Sequence, residues 1–306
     1  MDVELAVFIA STLRLSMPLI LAASGELVSE RAGVLNLSLE GMMLFSAFAG
    51  AMVSWATGVP SLGVLAGVVT GVAVAALQAI FSVYLRANQL VVGIGFNILA
   101  LGATTLLYRE IFGALSREQI PGLAKIDIPV LSHIPLIGPG LFQQVPLAYI
   151  GLAFVVLIGW MLSRTSLGLA IRAVGEDPRS ADKAGVPVAR VRVVGVLVAG
   201  FMAGLAGTFL SVGDIHTFTE GMTNGAGYLA LAAVIFGGWT VWRTVGACLL
   251  FGAATALQFQ LPAMGVNVPT AALLMLPYVL ALLAVAGVVG RRDPPSALTV
   301  PYRRGA

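Results

Sequence analysis

The chain has 306 residues, 58% of them hydrophobic and only 10% charged, with a formal net charge of +3 and a mean hydropathy of +0.97. A soluble domain carries about 25% charged residues, so this composition cannot cover a water-facing surface. It predicts an all-α polytopic transmembrane bundle forming a single domain over residues 1–306. The basic residues gather at the ends of apolar runs without interleaved aromatics, which argues against a nucleic-acid partner.

The chain opens MDVELAV, which is acidic where a secretory signal is basic, so the first apolar run reads as a retained span. Apolar runs near the ~20-residue bilayer length lie at 3–23, 40–57, 60–84, 89–107, 146–163, 191–213, 227–241, 244–261 and 268–289. They give about nine spans, within a range of eight to ten. Arg14 falls in the middle of the first run, where an arginine costs about 2.5–3.5 kcal/mol on insertion scales. It should face the bundle, and Glu26 or Glu30 are the nearest candidate partners. The stretch SGELVSERAGVLNLSLEGMM (24–43) mixes charges, glycines and apolar filler. It reads as a re-entrant element at 24–39 whose polar groups satisfy broken backbone, or as a structural turn.

Further on, 108–145 is rich in Pro and Gly yet carries the apolar LSHIPLIGPGLF. That suits an ordered cap with one short helix; a plain connection is the alternative. The stretch 164–192 holds Arg164, Arg172, Arg179, Lys183, Arg190 and Arg192 against Glu176, Asp177 and Asp182. A basic loop between spans belongs in the cytoplasm. Counting spans from it puts 108–145 and the N-terminus outside and the tail 290–306, with Arg291, Arg292, Arg303 and Arg304, inside. Within the loop, Asp177 can cap a helix, Pro178 suits its first position and Gly185 its end. Such a capped helix can dock a partner, or the loop can serve only to fix topology.

The remaining polar groups are mostly amides and hydroxyls, and no acid sits securely inside a predicted span. An ion-coupled carrier usually needs such acids. Candidates to line a path for a neutral, hydroxylated solute are Asn36, Glu40, Asn97, Asn224 and Gln258, with interhelical hydrogen bonding as the alternative role. Only Lys125 and Lys183 exist and neither follows a glycine, so the phosphate loop G-x-x-x-x-G-K-[ST] is impossible. The lone Cys248 excludes an intrachain disulfide and suits core packing, and His133 and His216 have no ligand partners at metal spacing. No cofactor, metal or catalytic group is expected.

Several stretches together carry a resemblance: GELVSERAGVLNLSLEGMM (25–43), ANQLVVGIGFNILALG (87–102), TSLGLAIRAVGEDPRSADKAGV (165–186), YLALAAVIFGGW (228–239) and PPSALTVPYRR (294–304). In order along almost the whole chain, they resemble permease subunits of bacterial ABC importers. The family is that of ribose and branched-chain amino acid permeases, and the likeness is nearest to its nucleoside branch. The resemblance implies a multi-pass protein of the bacterial inner membrane. It also implies a second permease subunit, a pair of ATP-binding cassette subunits and an extracytoplasmic substrate-binding protein. ATP hydrolysis would sit on another chain, so this one is not itself an enzyme. Residues 172–186 would be the segment coupled to the ATPase, carried by Arg172, Glu176, Asp177, Pro178, Ala181, Lys183 and Gly185, with small residues at 181 and 185 letting a short helix seat in a cleft. Permeation of ribose-like sugars, or an ion-coupled carrier, are the alternative functions.

Overall fold

Hydropathy falls after residue 23, but the first helix does not end there. In the computed structural model, which describes residues 2–113, 119–129, 132, 138–264, 269–286 and 293–303, α1 runs unbroken from Asp2 to Arg31. Glu26 and Glu30, one turn apart, are fully buried, and each finds an N–H donor. The backbone N–H of Asn36 donates to Glu26 at 2.9 Å, and the indole of Trp239 donates to Glu30. The re-entrant segment at 24–39 is therefore corrected. Only residues 32–38 leave helical geometry, and they thread back through the bundle largely buried. The expectation that no acid lies inside a span is corrected with it.

Helix α2 (Leu39–Thr57) and α3 (Pro60–Ala79, extended by a π turn, Ile80–Tyr84) form an antiparallel pair. They pack on α9 (Val188–Thr208), itself extended by a π turn, Phe209–Ile215. Small residues let the three backbones touch, as tight packing in lipid requires. A Cβ added at Gly71 would lie 2.9 Å from the Cα of Gly204. Around this trio stand α4 (Gln89–Phe112), capped by Asn88, and α6 (Pro146–Arg164). The loop helices α7 (Ser166–Glu176) and α8 (Pro178–Lys183) follow α6. After α9 come α10 (Ala226–Phe236), α11 (Val241–Ala263) and α12 (Thr270–Val285).

Among the described residues, seven helices are long and apolar enough to cross a bilayer. The expected spans 227–241 and 268–289 are instead shorter helices. Eleven residues in α10 rise only about 16 Å, roughly half the hydrocarbon thickness. Nine full-length spans are thus not confirmed among the described residues.

The two ends of the bundle are chemically distinct. At one end Arg31 meets Trp239 and Glu176, and Arg192 meets the tail at Val300. At the other, Arg109 pairs with Glu220 at 2.6 Å, and the N–H of Ile120 donates to the carbonyl of His216 at 3.0 Å. The described part of 108–145 caps this second end. A two-residue antiparallel pair, β1 (Ile126–Asp127) with β2 (Gln143–Gln144), adjoins the short helix α5 (Gly138–Phe142), which lies on α1 at Ala10 and Leu13. Residues 1, 114–118, 130–131, 133–137, 265–268, 287–292 and 304–306 lie outside the described residues. With them go the readings made of His133, Arg291, Arg292 and Arg304.

Trp55, Trp160 and Trp242 are exposed, as interfacial aromatics should be. Trp239 is not one of them, being 6% exposed. Cys248 is fully buried in the core.

Candidate functional site

A cavity of about 490 Å³ opens toward the capped end of the bundle, between α1, the π turn after α9, the start of α10, α11 and α12. At its mouth Arg14 pairs with Asp214 at 2.8 Å, the arginine side chain 52% exposed and the aspartate 12%. The partner predicted for Arg14, Glu26 or Glu30, is corrected to Asp214. Sequence reading assigned residue 214 to the loop beyond the span. The π turn carries it back into the wall, and π turns of this kind concentrate at functional sites.

The floor of the cavity is the N-terminal end of α10. Asn224 lines it from a left-handed conformation (φ 44°), and its carbonyl accepts from the Tyr278 hydroxyl at 2.9 Å. Gln258 and Phe259 line the opposite wall from α11. The cavity therefore presents amides, hydroxyls, one ion pair and two aromatic faces. Pockets for small molecules usually occupy roughly 300–1,000 Å³ with a few placed polar groups.

Beneath the floor Glu40 holds the assembly together. Its carboxylate accepts from the Thr223 hydroxyl at 2.6 Å, from the Gly225 N–H at 2.9 Å and from the Gly227 N–H at 2.7 Å. The first N–H groups of a helix have no intrahelical partner, and an anion beside them opposes the positive end of the helix dipole. Helix α10 begins inside the bundle, and Glu40 supplies what water would supply at a surface. Gly227 permits the approach, since a Cβ there would lie 2.5 Å from the backbone nitrogen of Glu40.

Of the five path candidates, Asn224 and Gln258 line the cavity and Glu40 underpins it. Asn36 and Asn97 do not reach it. Asn36 is fully buried, accepting from Ser38 and held by Glu26. Asn97 accepts from the Gly41 N–H at 2.8 Å and donates to the Leu37 carbonyl at 2.9 Å and the Tyr228 hydroxyl at 2.8 Å. It ties α4 to the starts of α2 and α10. Sequence reading missed Asp214, Thr223, Phe259 and Tyr278; the mid-span charge of Arg14 was the one signal pointing to this mouth.

The basic loop lies at the other end of the bundle. Helix α7 is amphipathic, capped by Thr165, and buries Ile171 and Val174. Arg172 is exposed on it. Helix α8 starts at Pro178, and Asp177 accepts from the N–H groups of Arg179 at 3.0 Å and Ser180 at 3.1 Å. Hydrogen bonds from the hydroxyl and N–H of Ser180 hold the Asp177 carboxyl below its ordinary pKa. Gly185 ends the helix at φ +87°, with nothing within 4 Å of an added Cβ. Lys183 and Gly185 are exposed, as are Glu176 and Asp177, while Pro178 is half-buried. Ala181 departs from the expectation. It is 5% exposed and turns into the bundle, so it is not on the outward face of α8.

The family described as the permease component of branched-chain amino acid transport systems matches residues 8–285 of this sequence. The chain belongs to this permease family. It is 37% identical to the guanosine ABC transporter permease protein NupQ of Bacillus subtilis over 98% of each chain. It is 32% identical to the nucleoside ABC transporter permease protein NupC of Lactococcus lactis over 97% of each. A protein of Haloferax volcanii provisionally named a glucose ABC transporter permease is 40% identical over 82% of this chain and 76% of its own. No solved structure matches the chain. Membership makes this permease a multi-pass membrane protein, in agreement with its seven long apolar helices.

Proposed function

We propose that this chain is the membrane-spanning subunit of an ATP-driven importer for nucleosides in the plasma membrane. The observation that carries the substrate class is the cavity. Its aromatic faces, Phe259 and Tyr278, suit stacking with a base, and the amides of Asn224 and Gln258 suit its edge and the ribose hydroxyls. Near full-length likeness to relatives named for guanosine and nucleosides supports the same class.

Residues 172–186 are the coupling segment in this reading, facing the cytoplasm because basic loops are retained there. The cap 108–145 then faces outward toward a substrate-binding protein. A second permease subunit and two ATP-binding subunits complete the transporter. Glu26 and Glu30 are buried acids, so a lack of acids in the bundle does not exclude an ion-coupled carrier. Family membership supports the ATP-driven reading instead.

Sugar permeation is the second reading, favoured by the 40% identity to the relative named for glucose. An aromatic face with amides also suits a pyranose. Uptake of radiolabelled guanosine, uridine, ribose, glucose and leucine by the complete reconstituted transporter distinguishes the two. ATP-dependent uptake of nucleosides alone is expected, and uptake of glucose alone would replace this reading with the second. Gly185→Arg should abolish uptake while the protein remains in the membrane, whereas Gly185→Ala, carrying the same backbone strain, should retain most of it. Equal uptake by Gly185→Arg and wild type would remove the coupling assignment.

A further inference from the structure

The tail Asp293–Arg303 crosses nothing and does not line the cavity, yet Pro295 and Ala297 are buried in it. The Ala297 N–H donates to the Gly175 carbonyl at 2.8 Å. The Ser296 hydroxyl donates to Glu176 at 3.1 Å. The tail thus grips the last turn of α7, directly before α8. On its other side Arg192, 2% exposed at the start of α9, donates from Nη1 to the Val300 carbonyl at 2.8 Å. Gly33, just past α1, lies against the same turn, where an added Cβ would stand 3.1 Å from the Ala297 carbonyl oxygen.

Helix α8 needs such a fastening. It has six residues and one buried side chain, Ala181, so its own packing gives little to push against. The two helices that the tail joins to it share a second property. Helix α1 carries Arg14 and α9 leads through its π turn to Asp214, so their far ends meet in the ion pair at the cavity mouth.

We propose that residues 295–302 are a clasp that makes the coupling segment move as one body with α1 and α9. A displacement of α8 by a partner then alters the Arg14–Asp214 mouth instead of bending a loop. The clasp rests on the reading of 172–186 as the coupling segment, and Ser296, Ala297 and Val300 act as positioning residues within it.

The test places a cysteine at Thr255, in the cavity wall, in a Cys248→Ser background of the complete transporter. The rate of its modification by a water-soluble thiol reagent is compared with and without ATP. In the parent an ATP-dependent change in rate is expected. Ala297→Pro removes the donor to Gly175 and should keep ATP hydrolysis while losing that change, with uptake falling about tenfold. Ala297→Gly keeps the donor and should behave as the parent. Glu176→Gln with Ser296→Ala, a milder pair, should lower maximal uptake without altering KM. A full ATP-dependent change in Ala297→Pro, or an equal loss in Ala297→Gly, overturns the clasp alone. Absence of any ATP-dependent change in the parent overturns the coupling reading and the clasp together.

Discussion

Trp239 and Glu30 are hydrogen-bonded across 209 residues of sequence, the indole N–H donating to a carboxyl oxygen of a side chain at 0% exposure. The bond joins the end of α10 to the last turns of α1, and Arg31 adds a second tie by donating to the Trp239 carbonyl at 2.9 Å. Trp239 holds a left-handed backbone (φ 54°) to reach this position. Trp239→Phe preserves most of the packing and removes the donor. A buried acceptor left unpaired costs about 1–3 kcal/mol, so thermal unfolding in detergent should show that loss. Unchanged stability would mean that Glu30 draws on another donor.

Glu40 binds three donors at the start of α10. Glu40→Ala leaves two backbone N–H groups without their acceptor inside the bundle and should cost about 1–3 kcal/mol. Glu40→Gln keeps the shape but turns an NH₂ toward donors, so it should also impair uptake while destabilising less. The measurements are unfolding midpoint and uptake rate on the same preparations. Wild-type uptake by both variants would show that the floor of the cavity does not depend on this cap.

Arg14 is half open to solvent while Asp214 is only 12% exposed, so the pair lies between an exposed one, worth roughly 0.2–1 kcal/mol, and a buried one, whose breaking costs about 3–5 kcal/mol. Arg14→Ala, which strands the mostly buried Asp214, should therefore destabilise more than Asp214→Ala, which leaves the half-exposed arginine to solvent. If the pair forms the mouth of the path, each single variant should raise the KM for uptake, and the double variant should be no worse than the worse single. Fully additive effects would separate the two residues functionally.

Helix α8 should be insensitive to pH across the physiological range. The Asp177 carboxyl lies below its ordinary pKa because Ser180 donates to it. A depressed folded-state pKa means that the cap contributes fully above the unfolded value, about 3.9, and is lost only as pH falls through the lower folded value. A spin label at Arg179→Cys should therefore keep constant mobility from about pH 8 to pH 5 and loosen only in stronger acid. Asp177→Ala should be loose throughout, whereas Asp177→Asn, also a good cap, should remain ordered.

Much of the architecture was legible in the residues themselves. Run lengths and hydropathy located the long helices, because a segment in lipid must satisfy its backbone internally and present apolar side chains. The short loop helix was legible for a local reason: Asp177, Pro178 and Gly185 specify its start and end by nearest-neighbour chemistry. Other features depended on partners far away in sequence. Glu26 and Glu30 look like loop residues until Asn36 and Trp239 arrive to solvate them. The run 227–241 looks like a span until Glu40 caps its start inside the bundle and the chain turns at Gly237 to bring Trp239 to Glu30.

Sequence by itself determined that this chain is a helical membrane protein, with a basic capped loop at one end and an apolar cap at the other. Composition and local propensity are properties that each segment carries alone. Only the tertiary structure decided where the polar groups meet: Arg14 with Asp214, Glu40 with α10, and the tail with the coupling loop. Inside a bundle a charge or a free N–H is tolerated only beside its partner, and that partner is chosen by packing, not by nearness along the chain.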